Sequence, residues 1–319
     1  MKRLISNIYN RIALISPYVE VFLRQQYWRN SSRFKKIKPD KNIIPSNQNS
    51  KIDFNKIIDY LKESGLGQGS LLIVHSSYEA LEGSGLYPEE IVEELLKLVG
   101  NNGTLAMPVI RKFKGEPKYN EILNTSVEDL ECVYDVKKSR ITTGFLPYYL
   151  MRHDDSVVSR FPLNPMVAVG PLAKEMMKHN LDGELPSAHG VNSSWKFCVD
   201  HNAIVIGLGV DLIHYLTIMH VAEEAYANWP VKNWYRKRKF TIIDGDYRTH
   251  KTVLEREPKW GMLHLAEKKF GNDLIKRRIL KNNIIENTQV GIVNSKELIN
   301  FLNSKKDKAY PYYLTKIAK

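Results

Sequence analysis

Cysteine is scarce in this 319-residue chain: Cys132 and Cys198 are the only two, and no C-x-x-C pair exists. Two thiols cannot build a disulfide framework, and a reducing compartment fits this usage. No run of 18 apolar residues occurs, so a membrane-crossing helix is not expected. The opening MKRLISNIYNRIALISPYVEVFL has a basic tip, but Asn7, Asn10, Arg11 and Glu20 interrupt it and no small-residue cleavage site follows. It is therefore not read as a signal peptide, and a cytoplasmic location is expected. Low-complexity tracts and internal repeats are lacking. So are G-x-S-x-G, G-x-x-x-x-G-K-[ST], H-E-x-x-H and a G-x-G-x-x-G following a strand. These absences leave the α/β-hydrolase, P-loop, zincin and dinucleotide readings without support.

What is present is a globular composition, 43% apolar and 26% charged, long enough for one large α/β domain or a core with an appendage. The net charge of +12 is unevenly placed. Residues 1–50 carry ten Lys/Arg against two Asp/Glu, residues 51–230 carry 16 against 24, and residues 231–319 carry 21 against nine. Basic ends around an acidic centre suit either contact with a polyanion or two solvated helical flanks. A nucleic-acid-binding module is a separate class consistent with basic charge, but the acidic centre is a poor footprint for it and no known module is visible.

Three segments follow from the patterning. Residues 1–50 read as a basic amphipathic extension: Leu4, Ile8, Ile12, Ile15, Val19 and Phe22 form one helical stripe, which Pro17 kinks or divides. A polar linker rich in proline follows over Ser31–Ser50. The extension can lie on an anionic membrane surface or pack on its own core or a second subunit; packing is favoured, and a homodimer stays open. Residues 51–230 alternate helices and strands. Helices are predicted at Asp53–Ser64 and Pro88–Val99, and strands at Ser70–Val74, Gly103–Pro108 and Ala203–Leu208. A further helix is predicted to run through Ala227. This order predicts an α/β fold, three-layer α/β/α with a mainly parallel sheet, and a site beyond the carboxyl ends of its strands. Loops His75–Gly85 and Gly209–Thr217 become its walls. Residues 231–319 read as a smaller, basic α+β lobe completing that site, with a β element at Phe240–Asp244 and helices at Leu263–Phe270 and Leu274–Leu280.

The sharpest chemical feature is Thr217-Ile-Met-His220-Val-Ala-Glu223-Glu224. Spacings of three and four place Thr217, His220 and one of the two glutamates side by side on a helix. A carboxylate beside an imidazole fixes its tautomer and stabilises its protonated form. A His–Glu pair on a helix is more often structural than catalytic. His-x-x-Glu also ligates metal in helical bundles, but no second copy sits on a comparable helix, so no metal is expected. His264-Leu-Ala-Glu267 has the same form without the preceding strand and glycine turn, and reads as an ordinary helix start. The turns His75-Ser76-Ser77 and Gly190-Val-Asn-Ser193-Ser194-Trp195 offer N–H groups and hydroxyls to phosphates or amides, or are plain serine-capped turns.

Taken in order, VHSSYEALEGSG (74–85), GTLAMP (103–108), TTGFLPYYLMRHDDSVVSRFPLNPMVAVGP (142–171), HGVNSSWKF (189–197), IVIGLGV (204–210) and TIMHVAEEA (217–225) resemble the aminoglycoside 3-N-acetyltransferase superfamily. The likeness runs from about Ser70 to Leu302; each motif is weak alone, and their order is specific. The resemblance implies an α/β/α fold of its own kind and an acyl-CoA-dependent N-acyltransferase using acetyl-CoA or another acyl-CoA, without metal. It makes His220 the general base, Glu223 the carboxylate behind it, and Thr217 the threonine one turn earlier. By the same likeness His75, Ser76, Ser77, Ser193 and Ser194 contact coenzyme A. Asp211, Glu224 and Asn164 are candidate acceptor-binding residues. One segment departs: where many members read close to R-S-x-H-P-T-x-S, this chain reads Ser159-Arg-Phe-Pro-Leu-Asn-Pro-Met166, with Phe161 at the histidine position and Pro165 at the serine position. That departure and the basic run Arg236–Lys239 favour a nucleotide-linked amino sugar for surface polysaccharide as acceptor. The alternative is an aminoglycoside, making the chain a resistance enzyme.

Overall fold

A computed structural model describes residues 16–30, 51–118 and 121–314. The apolar positions Leu4, Ile8, Ile12 and Ile15 and the linker Ser31–Ser50 lie outside the described residues. Among the described residues ten strands occur: β1 Leu71–Ser76, β2 Thr104–Pro108, β3 Glu131–Asp135, β4 Val157–Val158, β5 Met166–Val169, β6 Ile204–Leu208, β7 Tyr235–Asp244, β8 Tyr247–Arg256, β9 Leu280–Ile285 and β10 Thr288–Asn294.

Seven of them form one sheet in the order β4-β5-β2-β1-β6-β10-β9. Its centre, β2-β1-β6, is parallel, with Ile73 opposite Ala106 on one side and Val205 on the other. The outer pairs β2-β5, β4-β5, β6-β10 and β10-β9 are antiparallel, so the sheet is mixed around a parallel middle. Apolar runs such as LLIVHS and TLAMP are what a strand covered on both faces requires, and β2 is buried at every position. Alternate side chains then serve two cores. Leu72, Val74, Leu105 and Ile206 pack under helices Phe54–Glu63 and Pro88–Val99. Leu71, Ile73, Ala106 and Val205 face Trp195, Tyr215 and helix Ser295–Asn303. The α/β class is therefore as read from the sequence. The segment after residue 231 is shared between two sheets: β9 and β10 extend the large one, while β7 and β8 join β3 in a three-stranded sheet.

Several boundaries match their local signals. Asp53 caps helix Phe54–Glu63 by accepting from Asn55 N–H, and Pro88 opens its helix. Pro17 is the first residue of helix Pro17–Arg29, whose start is capped by the Ser16 hydroxyl. Other boundaries differ. The helix expected through Ala227 is three short pieces, Leu212–Tyr215, a 3-10 turn Thr217–His220, and Val221–Glu224. Tyr215 is the physical reason: its ring lies so close to the sheet that a Cβ on Gly207 would sit 2.5 Å from its Cδ1. The chain breaks helical geometry to seat that ring. The helices expected at Leu263–Phe270 and Leu274–Leu280 are instead a π turn Trp260–His264 and one helix, Glu267–Lys276, with Leu280 opening β9. Phe240–Asp244 is the end of a ten-residue strand whose hairpin turns at Gly245, φ +62°.

Helix Pro17–Arg29 packs on its own chain. Glu20 is buried and accepts from the N–H groups of Lys268 and Lys269, at 2.8 and 3.4 Å, so it caps helix Glu267–Lys276 from outside. Arg24 pairs with Glu267 at 3.0 Å. No helix among the described residues is long and apolar enough to cross a membrane.

Candidate active site

A cavity of about 540 Å³ is bounded by the turns after β6, the end of β8, the π turn and helix Pro17–Arg29. Thr217 and His220 lie on its wall, because the 3-10 turn brings residues three apart onto one edge. Glu223 is one turn on, fully behind the wall, and its carboxylate oxygens lie 3.1 and 3.0 Å from His220 Nδ1. Glu224 turns the other way. It accepts from the His189 N–H at 3.0 Å and lies 3.1 Å from His189 Nδ1. The two glutamates thus divide between two histidines whose rings meet edge to face, centroids 5.2 Å apart.

Two further groups complete the cluster. Tyr312 O–H donates to Glu223 Oε1 at 2.6 Å, and Arg256 Nη1 donates to the Tyr312 oxygen at 2.5 Å. The same Arg256 nitrogen lies 3.1 Å from His220 Nδ1 and 3.7 Å from Glu223 Oε2. Burial sets most of the titration behaviour. It pushes His220 well below its ordinary value, aided by the Arg256 and His189 charges and opposed by Glu224. Burial also raises Glu223 to about 7, against the pull of Arg256 and the Tyr312 hydrogen bond. For Glu224 burial again works upward, but the His189 charge and hydrogen bonds outweigh it and hold the carboxyl at about 2.

Among residues singled out in the sequence, Thr217, His220, Glu224 and Asn164 reach the cavity wall, with Glu223 directly behind His220. Asn164 holds a left-handed backbone, φ 48°, and its carbonyl accepts from Trp195 Nε1. His75, Ser76, Ser77, Ser193, Ser194 and Asp211 are not on that wall, so loop His75–Gly85 does not bound this cavity. Ser193 caps helix Ser194–Asp200: its hydroxyl donates to Gly190 O and accepts from Lys196 N–H. Ser194 is buried, Ser76 and Ser77 are half-buried, and Asp211 pairs with His214. Burial lowers His75 to about 3, and its Nε2 has no hydrogen-bond partner among the described residues. Phe161, at the departure from the family pattern, is core beside Phe113 and Phe240. The basic run is not a free patch: Arg236 and Arg238 are buried and paired with Glu255 and Glu116, while Lys237 and Lys239 alternate outward.

His189, Arg256, Tyr312 and Arg24 were not among the sequence candidates. His189 stood inside a quoted motif, HGVNSSWKF, with its carboxylate partner 35 residues away. Arg256 ends a strand and Tyr312 sits 89 residues from Glu223, so no local spacing marks either.

An α/β protein with a buried carboxylate–imidazole pair at a cavity beyond the parallel centre of a mixed sheet belongs to the class equipped for proton transfer at a bound substrate. The family is more particular. A family model described as aminoglycoside 3-N-acetyltransferase matches residues 73–305, and the chain belongs to that family. It is 28% identical over 171 residues to aminoglycoside N(3)-acetyltransferase IX of Micromonospora chalcea, an alignment covering 51% of this chain and 58% of that one. It is 32% identical over 166 residues to aminoglycoside N(3)-acetyltransferase III of Serratia marcescens, covering 50% and 59%. The chain thus spans less than two thirds of these curated relatives. Among solved structures, aminoglycoside acetyltransferase AAC(3)-Xa superposes with a TM-score of 0.66 at 20% identity, covering 83% of this chain and 96% of the other. A binary complex of AAC-IIIb with CoASH gives 0.64 at 19% identity, covering 83% and 99%. A structure of AAC-VIa with sisomicin bound gives 0.62 at 15% identity, covering 80% and 99%. At such identities the structural likeness establishes the fold.

Proposed function

We propose that this chain is an acyl-CoA-dependent N-acyltransferase that moves an acetyl or related acyl group onto an amine of an aminoglycoside, with His220 as general base. The observation that carries this reading is the His220 imidazole, with Nδ1 engaged by Glu223 and the ring on the cavity wall. The acyl thioester supplies an electrophilic carbonyl carbon and a thiolate leaving group. This chain's residues do the rest. A sugar ammonium must shed a proton before its nitrogen can attack. With Nδ1–H donating to Glu223, His220 Nε2 keeps the lone pair that receives that proton. His220 is already neutral at physiological pH because burial and Arg256 depress its affinity for protons. The attacking amine forms the amide bond as the carbon–sulfur bond breaks, and the nitrogen gives up a second proton; of the two protons shed, one passes to the departing sulfur and the other to solvent. Thr217 lines the wall one turn before His220, and its hydroxyl is the donor this reading assigns to the developing oxyanion.

Support for the acceptor comes from the named relatives and from the wall. Glu116, Glu224, Glu255 and Glu267 all line the cavity. Each has an Arg or His partner, yet a carboxylate accepts about four hydrogen bonds, which leaves lone pairs for sugar ammonium and hydroxyl groups. The basic run that favoured a nucleotide-linked acceptor has turned half inward into ion pairs, so it no longer argues for a diphosphate. Ser76 and Ser77 keep the exposure needed to touch a thioester ligand, whereas Ser193 and Ser194 hold their own loop.

The test follows thiol release from acetyl-CoA with kanamycin and with nucleotide-linked amino sugars. Release with kanamycin is expected; release with a nucleotide sugar alone would move the acceptor assignment to glycan biosynthesis. His220→Ala should lower turnover by about two to four orders of magnitude with thioester affinity retained. Near-parental turnover in that variant would remove His220 from the mechanism.

A further inference from the structure

We infer that Tyr312 and Arg256 are positioning residues that set the tautomer of His220 by holding Glu223 as an ionised carboxylate aimed at Nδ1. The inference rests on the acyl-transfer reading above and deepens it. Tyr312 falls beyond the residues matched by the family model, 73–305, so the likeness to that family does not supply its role.

The argument starts from a conflict at one atom. His220 Nδ1 lies 3.0 Å from a Glu223 oxygen and 3.1 Å from Arg256 Nη1. Guanidinium is a donor only, and a neutral imidazole nitrogen is either a donor or an acceptor. If Glu223 is ionised, Nδ1 carries the hydrogen, donates to the carboxylate, and Nε2 is left with a lone pair. If Glu223 is protonated, both neighbours of Nδ1 are donors. The lone pair is then drawn to Nδ1, the hydrogen moves to Nε2, and the ring cannot accept a proton from an amine. The ionisation of Glu223 therefore decides whether His220 is a base.

Two groups favour the ionised form. Tyr312 O–H donates to Oε1, and Arg256 brings its charge to Oε2 while donating to the Tyr312 oxygen. Fixing that hydroxyl as an acceptor toward Arg256 leaves its hydrogen for Glu223, so the three groups form one directed chain. The remaining charged or titratable groups facing Glu223 are Glu224 on its own turn, His189 from the loop before helix Ser194–Asp200, and Tyr235 on β7. Burial drives Glu223 upward, and Arg256 and Tyr312 are the leading opposing influences.

Tyr312→Phe keeps the ring that packs against Trp229 and Trp234 and removes only the hydroxyl. The expected result is a fall in kcat of about fivefold at pH 7, approaching about tenfold at lower pH, as the loss of a hydrogen bond to a charged group implies. KM for acetyl-CoA should hold, and the acid limb of the kcat/KM profile should move up by about one pH unit. Activity should recover at higher pH, because Glu223 is then ionised without its donor. A second readout needs no turnover: 15N shifts of the His220 ring, assigned against His220→Asn, should show hydrogen moving from Nδ1 toward Nε2 in Tyr312→Phe at pH 7. An unmoved acid limb with unmoved ring shifts overturns the inference, even if kcat falls, since that pattern is purely structural. No thiol release from acetyl-CoA with any amino-sugar acceptor would instead sink the acyl-transfer reading, and the ring shifts would still decide the tautomer question.

Discussion

Glu223 and Glu224 are adjacent and identical in chemistry, both with carboxyl side chains shielded from solvent, yet the fold drives their proton affinities in opposite directions. Glu224 gains two contacts from one residue, the His189 backbone N–H and Nδ1. Removing one partner of such a buried pair leaves the other without compensation, typically at about 3–5 kcal/mol. Glu224→Gln is therefore expected to lower thermal stability markedly and to loosen the loop that carries His189. An unchanged melting temperature would mean that water replaces the carboxylate at no loss. That His220 pairs with one of the two glutamates was legible in the sequence, because residues three or four apart are neighbours on a helix. Which glutamate faces the imidazole was not legible, since a change of helical pitch at Thr217–His220 decides it.

At the level of elements, strands buried on both faces announced themselves as apolar runs, while boundaries set by tertiary contact did not. Tyr215 is an ordinary aromatic in the sequence; only the paired strands β6 and β10 reveal Gly207 and Gly291 as the floor beneath its ring. Helix Pro17–Arg29 shows the same limit. Its helical character was visible, but its seat was not: Phe22 of the expected stripe is exposed while Glu20 and Val21 are buried, because the seat depends on one carboxylate reaching backbone 248 residues away. Glu20 occupies the position of an anion at a helix start, and a lost N-terminal cap costs about 1–2 kcal/mol. Glu20→Ala is expected to destabilise the protein by that amount. It should also raise KM for the acceptor more than for acetyl-CoA, because Arg24 on the same helix forms part of the cavity wall. Equal effects on both KM values would show that the helix does not shape the acceptor side.

Across the whole molecule, the His220–Glu223 pair leaves a signature in stability that requires no substrate. A carboxyl raised from 4.5 to about 7 binds more protons folded than unfolded between those limits, so Glu223 makes stability fall as pH rises through that window. His220 is depressed well below 6.5, so the unfolded chain binds the extra proton there and stability rises with pH up to about 6.5. Between about pH 5 and 6.5 the two slopes cancel: the folded pair holds its extra proton on Glu223, the unfolded pair on His220. Glu224, held at about 2, is ionised in both states over most of this window and adds little; its stabilisation is lost only as pH falls below 4.5 toward 2. His75, lowered to about 3, adds a rising slope of its own, so each variant must be compared with the parent. Relative to the parent, Glu223→Gln should gain a rising stability slope across pH 5–6.5. His220→Asn should gain a falling one, each approaching about 1.4 kcal/mol per pH unit for one proton. Denaturant melts at four pH values measure both. Slopes of the same sign, or none, would mean that the two groups do not titrate in opposition and that, below about pH 6.5, the pair does not hold a protonated carboxyl beside a neutral imidazole.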